Sequence, residues 1–295
     1  KMIAVLAHLD VVPAGDNWDM PPFELTDKDN YLWGRGIVDN KGPALCALFA
    51  LLRLRESGYK PDCRIRIILG IDEETNCSCM EHYVASERLP DAGFTPDADF
   101  PAIFAEKGIL HIELFGTSSQ TCTARGGDAP NVVPAKCELY HYESKAHFDA
   151  NGLSAHASTP QKGENAILKL VRSLPDHVIN QESMLSFICD KLMSLPDMQN
   201  LISCIDDDES GTLTINPAQL DINHNKSKLT LDIRYPVHSD FATLYDELKR
   251  QCALYGLSIN IFNHLPPLFL DKNSKQIRTL LPVYEKYLDK FYCEN

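Results

Sequence analysis

Residues 64–75 read RIRIILGIDEET, an apolar run that ends in three consecutive acids, Asp72, Glu73 and Glu74. The apolar part has the composition of a buried strand. Carboxylates crowded at its end repel one another, and burying them costs free energy unless positive charge compensates. Either a solvated turn or a metal site would account for the acids, and the rest of the sequence decides between them.

The segments around this strand predict an α/β sheet. Residues 3–12 (IAVLAHLDVV) are almost continuously apolar, which is typical of a strand covered on both faces, and residues 102–105 predict a short strand. Helices are expected at 43–58 and 77–88. Strands that alternate with helices in this way indicate a mixed, largely parallel sheet.

The helix predicted at 43–58 has clear end signals. Pro43 suits its first turn and Gly58 its end. We expect one apolar stripe of this helix to face the sheet. The stripe consists of Leu45, Leu48, Phe49 and Leu52.

The pattern changes after residue 106. Residues 109–115 and 229–235 alternate between apolar and polar, which favours antiparallel strands with one exposed face. Helical patterns follow at 162–174, 184–194, 240–255 and 273–291. The sequence therefore predicts a first domain at 1–106, an inserted α+β domain at 107–267, and a return to the first domain at 268–295.

Composition excludes several classes of function. The chain has 295 residues, of which 44% are hydrophobic, and its 28 Lys and Arg against 41 Asp and Glu give a net charge of -13. Such a charge argues against nucleic acid and anionic membranes as partners. Ten irregularly spaced cysteines indicate reduced thiols, and no apolar run reaches membrane-spanning length. A soluble, cytoplasmic protein is expected.

Four predicted loops at the sheet each carry an acid or a histidine. Ligands in open α/β sheets gather at the carboxyl ends of strands. The residues concerned are His8 and Asp10, Asp39, Asp72 to Glu74, and Asp97 with Asp99. Imidazole and carboxylate donors in this combination suit zinc, manganese or cobalt. Metal ions would let the adjacent carboxylates coexist, which favours a metal site over a solvated turn.

The motifs AHLDVVPAG, WGRGIVDNKGP, GIDEETN and TPDADFP occur in that order at residues 7–15, 33–43, 70–76 and 95–101. Together they resemble the metal-site motifs of the dinuclear-metal aminoacylase/carboxypeptidase family of metallopeptidases. DEETNCSCMEHY and NGLSAHASTPQKGENAI are similar to its PepV-like dipeptidases, relatives of carnosinase. The resemblance covers nearly the whole chain, and it implies a catalytic domain interrupted by an inserted lid domain at 107–267.

The resemblance implies a role for each acidic position. His8, Asp39, Glu74 and Asp97 match ligands of two divalent metal ions, and Asp39 bridges the ions. The ions are expected to be zinc, with manganese or cobalt as alternatives, and Asp99 replaces Asp97 if the loop register differs by two. The family also implies a cis peptide bond after Asp39. Asp10 matches the partner that supports His8. Glu73 matches the general base that takes a proton from the attacking water and gives it to the leaving amine.

In the insert, the resemblance implies three substrate-binding residues. His156 matches a histidine that stabilises the tetrahedral oxyanion, Arg234 matches an arginine that binds the terminal carboxylate, and Asn131 matches an asparagine that contacts substrate. From the residues alone, a capping or surface histidine is favoured for His156 and a surface strand arginine for Arg234, and the alternative for Asn131 is an ordinary turn residue.

The chain departs from the family pattern at its ends. The family expects a further histidine ligand late in the chain, but none follows His264, and the segment before the first strand is absent. We therefore expect a chain truncated at both ends. Three hypotheses stay open: a metal-dependent dipeptidase, an N-acyl amino acid deacylase, or an inactive fragment that lacks the late ligand. The resemblance also implies a dipeptide substrate and a homodimer formed through the lid.

Overall fold

The computed structural model describes residues 1–15, 18–75, 77–193, 201–203 and 207–292, with side chains described up to residue 287. The chain divides into two compact units. The first unit combines Lys1–Ile103 with Asn273–Asn295, and the second is Phe104–Lys272. Among the described residues, no helix has both the length and the apolar composition needed to cross a membrane.

Strands and helices are numbered in chain order. The strands are β1 (Met2–His8), β2 (Thr26–Lys28), β3 (Tyr31–Trp33), β4 (Arg64–Gly70), β5 (Ala92–Phe94), β6 (Ala105–Glu106), β7 (Gly108–Gly116), β8 (Cys122–Gly126), β9 (Lys136–His141), β10 (Ala146–Asn151), β11 (Thr214–Ile222), β12 (Ser227–Tyr235), β13 (Ser258–Leu265) and β14 (Leu268–Phe269). The helices are α1 (Gly42–Glu56), α2 (Ser78–Ser86), α3 (Ala166–Ser173), α4 (Asp176–Asn180), α5 (Ser183–Leu192), α6 (Phe241–Ala253) and α7 (Lys275–Tyr292).

The first unit is built on a three-stranded sheet in the order β4-β1-β5. Both pairings are parallel, and β1 runs beside β4 over its full length. A tight helical turn at Ile37–Lys41 leads directly into α1. The predicted strands are present as β1 and β4, and the helices predicted at 43–58 and 77–88 are present as α1 and α2. The mixed α/β fold is confirmed.

Two short strands differ from the prediction. The third strand lies at Ala92–Phe94, whereas the predicted strand at 102–105 is replaced by a two-residue strand at Ala105–Glu106. The segment Ala92–Phe94 reads AGF and carries only three residues, too few to establish a strand period.

The apolar stripe predicted on α1 is not buried. Among the side chains of α1, only Ala44 is fully buried, and those of the stripe are between 39% and 58% exposed. The stripe consists of Leu45, Leu48, Phe49 and Leu52. A three-stranded sheet is only about 10 Å wide, roughly one helix diameter, so it offers little surface against which to bury a helix.

The second unit contains a seven-stranded antiparallel sheet in the order β10-β9-β8-β11-β12-β7-β13. The alternation predicted in β7 is present, since Leu110 and Ile112 are buried on one face while His111 lies on the other. The exposed face predicted for β12 is wrong, because Thr230 and Asp232 are buried like their apolar neighbours. Buried side chains of α3, α5 and α6 join those of the sheet in one large hydrophobic cluster. This sheet therefore gives the second unit a well-defined core.

Candidate metal centre and substrate-binding residues

The register of β1 against β4 brings the first strand end next to the acidic loop. His8, the last residue of β1, pairs with Gly70, the last residue of β4, and the N–H of Leu9 donates to the Gly70 carbonyl at 2.9 Å. The acids of residues 72–74 follow Gly70 directly. The end of β1 and the acidic loop thus meet at one edge of the sheet. Asp10 and Glu74, which are hydrogen-bonded there, lie more than sixty residues apart in sequence.

His8 is 2% exposed and lies at the centre of a carboxylate cluster. Its Nε2 lies 2.9 Å from Asp39 Oδ1, 3.4 Å from Asp97 Oδ2 and 4.0 Å from Glu73 Oε2. Its Nδ1 lies 3.0 Å from the carbonyl oxygen of Asp10. A carbonyl can only accept, so Nδ1 carries a proton. Nε2 donates to the Asp39 carboxylate when the ring is protonated, and the deprotonated Nε2 would offer its lone pair to a metal ion.

These side chains supply two overlapping sets of metal donors. His8, Glu73 and Asp97 form one set, and His8, Asp39 and Glu74 form the other; within each, the donor atoms lie within 4.8 Å of one another. One imidazole with several carboxylates is a donor set that zinc and other divalent ions accept. The residues therefore fit the divalent metal that the motifs imply.

Asp97, not Asp99, joins this cluster. Asp97 Oδ2 is one of the oxygens that face His8, whereas Asp99 is exposed and belongs to neither donor set of the described residues. Asp97 follows β5, the short strand that the sequence did not predict, and this strand brings the loop to the edge of the sheet beside β1.

Asp10 connects the two strand ends. Its Oδ2 accepts the backbone N–H of Glu74 at 3.0 Å, and its Oδ1 lies 3.4 Å from His8 Nδ1. Burial opposes ionisation, but backbone hydrogen bonds from Glu74 and Glu73 lower the pKa of Asp10 below its usual value. Asp10 therefore stays charged and orients both His8 and the acidic loop.

The three consecutive acids, Asp72, Glu73 and Glu74, have different contacts. The Asp72 carboxylate accepts the backbone N–H groups of Ser78 and Cys79 at 2.9 and 3.0 Å, at the start of α2. Hydrogen bonds from Cys79 and Ser78 lower the pKa of Asp72 to about 2. Asp72 is thus a helix cap, and Glu73 and Glu74 are the two acids that join His8.

Crowding of like charges changes the acid–base properties of the cluster. Burial, followed by the charges of Asp97, Glu74 and Asp39, raises the pKa of Glu73 despite the opposing effect of His8. Burial and the charge of Asp39 raise the pKa of Glu74. Burial alone would lower the pKa of His8, but its hydrogen bond with Asp39 and the charge of Asp97 raise it overall. Unneutralised carboxylates of this kind provide a reason to bind a cation.

The peptide bond between Asp39 and Asn40 is cis, as the family resemblance implies. Sequence reasoning assigned no function to Asn40, yet its side chain is completely buried and donates to Asp97. Its place next to Asp39 in a glycine-rich turn was the only available signal, because the contact depends on the fold.

In the second unit, Asn131 and His156 lie on two segments that pair with each other. Val132 and His156 form an isolated antiparallel bridge, and the N–H of Ala157 donates to the Asn131 carbonyl at 2.9 Å. The N–H of Ser158 donates to His156 Nδ1 at 3.1 Å. Nδ1 is therefore the acceptor in neutral His156, and the exposed imidazole carries its proton on Nε2 as a donor.

Arg234 lies on β12, two residues after Asp232 and on the same face of the strand. Its Nε and Nη2 donate to the two carboxylate oxygens of Asp232 at 2.6 and 2.8 Å. The same carboxylate, fully buried, lies 3.0 Å from His111 Nε2. A guanidinium has five N–H donors, so Arg234 keeps further donors for a ligand while one edge is held in place.

The pairing of β11 with β12 connects Arg234 to the segments of Asn131 and His156. Asn216 of β11 pairs with Asp232, and Asn216 Nδ2 donates to the carbonyl of Val132 at 3.0 Å. Because Val132 bridges His156, the three predicted substrate-binding residues of the second unit lie on connected segments.

His264 packs against aromatic residues of the second unit. Its Nε2 lies 2.7 Å from the Tyr235 hydroxyl, and its ring stacks on Phe241 with centroids 3.9 Å apart. These contacts explain its presence on β13 without a metal.

The family model described as peptidase family M20/M25/M40 matches residues 4–276. The chain belongs to the M20/M25/M40 peptidase family. This M20-family chain is similar to the Beta-Ala-Xaa dipeptidase of Lactobacillus delbrueckii subsp. lactis, with 30% identity over 98% of the chain and 69% of the relative. It is similar also to YtjP of Bacillus subtilis (strain 168), named as a dipeptidase, with 28% identity over 98% of the chain and 70% of that protein. The resemblance to dipeptidases of this family is confirmed.

Two solved structures share the fold. The metallo-carboxypeptidase Sso-CP2 from Sulfolobus solfataricus has a TM-score of 0.54 at 17% identity, over 97% of this chain and 69% of that chain. Human carnosine dipeptidase 1 has a TM-score of 0.51 at 16% identity, over 97% of this chain and 66% of that chain. The M20-family chain thus spans about two thirds of the length of these relatives.

Proposed function

We propose that this chain carries the centre of a metal-dependent dipeptidase. The observation that supports the proposal most directly is the cluster around His8, in which Asp39 and Asp97 approach Nε2 within 2.9 and 3.4 Å. Membership of a peptidase family and similarity to relatives named as dipeptidases support peptide hydrolysis as the reaction at this cluster.

His8, Asp39, Glu74 and Asp97 are the residues that would hold two divalent ions, with zinc as the first candidate. Glu73 lies in the same group as His8 and Asp97, but we assign it to proton transfer and not to the ligands. When bound, the ions would supply Lewis acidity, which activates water and polarises the peptide carbonyl. We assign Phe104–Lys272 as the lid domain of the family, and we expect a cytoplasmic enzyme and a homodimer formed through this domain.

Glu73 is the residue that we assign as general base. Its side chain is 48% exposed, so water can reach it, and its pKa is raised, which makes it a better proton acceptor than an ordinary glutamate. It would take a proton from the attacking water and return it to the leaving amine.

Residues of the second unit would bind the substrate. Arg234, held on one edge by Asp232, would donate to the terminal carboxylate. His156, with its proton on Nε2, would donate to the oxygen that becomes negative during attack, and Asn131 would contact the substrate backbone.

The experiment is hydrolysis of a panel of dipeptides by the 295-residue chain, with zinc or manganese added after chelator treatment, beside Glu73→Gln. We expect metal-dependent release of free amino acids that Glu73→Gln lacks. N-acyl amino acids in the same panel test the deacylase alternative, since hydrolysis of these alone would assign that activity instead. Soluble protein that hydrolyses neither class would overturn activity of this chain.

A further inference from the structure

Asn40 is a completely buried polar residue whose side chain bonds to two residues of the metal centre and to the carbonyl next to one of them. It lies in the tight turn Ile37–Lys41 and is 0% exposed. Its Nδ2 donates to Asp97 Oδ1 at 2.7 Å and to the Pro96 carbonyl at 2.8 Å. Its Oδ1 accepts the backbone N–H of His8 at 3.3 Å.

These partners determine the orientation of the Asn40 amide. The His8 N–H can only donate, so it requires the amide oxygen, and the Pro96 carbonyl can only accept, so it requires the amide nitrogen. Both amide hydrogens are used, and the nitrogen necessarily faces Asp97. A carboxylate at this position would place oxygens against the Asp97 carboxylate and the Pro96 carbonyl, where donors are needed.

The consequence for Asp97 is that its two oxygens differ. Oδ1 accepts from Asn40, whereas Oδ2 faces His8 Nε2 at 3.4 Å. Asp97 is a member of the donor set of the cluster. The same amide also binds the backbone of His8, so it connects two predicted ligands from separate loops. Hydrogen bonds from partners behind the ligands orient them and affect metal affinity.

We propose that Asn40 is a positioning residue for a divalent cation: it holds Asp97 so that only Oδ2 faces the ion, and it fixes Asp97 to the strand end that carries His8. This inference rests on the metal centre of the proposed function. In this proposal Asn40 acts through its hydrogen bonds to His8, Pro96 and Asp97 and contributes no ligand atom.

The test compares zinc affinity of the unsubstituted chain and Asn40→Asp by competition with a chromogenic chelator. Asn40→Asp removes both donors but adds a charge, so Asn40→Leu, which removes them without a charge, is measured beside it. We expect zinc affinity to fall about 10-fold to 100-fold in both variants. Asn216→Asp is the matched control: Asn216 is also buried, and its amide joins Asn165 and Val132 of the second unit. It should leave zinc affinity unchanged. Circular dichroism without metal shows whether each variant is folded.

A double-mutant cycle tests whether Asn40 acts through Asp97. In an Asp97→Ala background, Asn40→Asp should change zinc affinity by less than about 2-fold. An equal loss in both backgrounds, or no loss in the first, would overturn the inference while leaving the metal centre intact. If the unsubstituted chain binds no zinc, the proposed function itself fails as well. Should Asn40→Asp not fold, Asn40→Ser keeps one donor, and unchanged affinity in that variant would overturn the inference.

Discussion

Glu73 stands apart from the other acids of the cluster because it is half exposed while its pKa is raised. We predict that Glu73→Gln lowers kcat by about 100-fold to 10,000-fold, the range of general acid–base catalysis, and leaves bound metal unchanged. The measurement is steady-state hydrolysis together with metal content. Asp99→Asn, an exposed acid of a neighbouring loop, is the control. Rates near those of the unsubstituted chain would remove Glu73 from the base role.

Arg234 is predicted to recognise a free carboxylate. Arg234→Ala should lower kcat/KM about 10-fold to 100-fold for dipeptides with a free carboxylate, mainly through KM, because a charge-assisted hydrogen-bonded pair is lost. C-terminally amidated dipeptides should show no such loss. Arg125→Ala, an exposed arginine of β8, serves as control. An equal loss on both substrate classes would contradict the assignment.

Asp207 gives a pH-dependent prediction. Burial opposes its charge, but hydrogen bonds from Ser210, His238 and Glu209 lower its pKa to about 2. Since the folded pKa is depressed, the stabilisation is complete above about pH 4 and is lost as the pH falls toward 2. Asp207→Asn should therefore lower the free energy of unfolding by about 1–2 kcal/mol at pH 7, and the difference should shrink between pH 4 and 2.

Urea unfolding at each pH measures this difference for Asp207→Asn. Asp149→Asn, an exposed acid of β10, should show no comparable change with pH. A difference for Asp207→Asn that stays constant down to pH 2 would mean that its charge does not stabilise the fold.

At the level of elements, the start of α3 depends on a side chain with two tasks. Asn165 Oδ1 accepts the N–H groups of Ile167 and Leu168, while Nδ2 donates to Asn216 Oδ1 and the Pro217 carbonyl. Asn165→Asp keeps the capping oxygen but removes both donors, and we predict a loss of about 1–3 kcal/mol in the free energy of unfolding.

The comparison for Asn165→Asp is Asp240→Asn at the start of α6. There the side chain only accepts, from the backbone N–H and the hydroxyl of Thr243. This exchange should cost little, because asparagine is as good an N-cap as aspartate. Equal losses in the two variants would show that the donors of Asn165 contribute nothing.

The elements also show what sequence can and cannot predict. Local periodicity predicted β1, β4, β7 and β12, and the strand ends led to His8 and the acidic loop, because period and chain direction are local properties. The roles of Asn40 and Asp232 depend on partners from other loops or strands. The pairing of Asp232 with Arg234 could nevertheless be predicted from sequence, since residues two apart on a strand lie on the same face.

For the whole molecule, the hydrophobic core is concentrated in the second unit. Its buried cluster extends from Leu110 of β7 through Phe187 of α5 to Leu248 of α6. Among described residues of the first unit, buried apolar side chains are few. They are Met2, Ala4, Val5, Ala7, Ala44 and Ile277. Cooperative stability should therefore come from the second unit, whereas metal binding should stabilise the first.

This difference leads to a prediction for the isolated second unit, Phe104–Lys272. It should fold alone and unfold cooperatively in urea, and Leu231→Ala should lower its free energy of unfolding by about 2–5 kcal/mol. Zinc should leave its stability unchanged, because His8 and the carboxylates that surround it are absent. The whole chain should gain about 2.7 kcal/mol at a zinc concentration 100 times Kd, through preferential binding to the folded state. Equal stabilisation of the fragment and the whole chain by zinc would place the main metal site in the second unit and contradict the centre at His8.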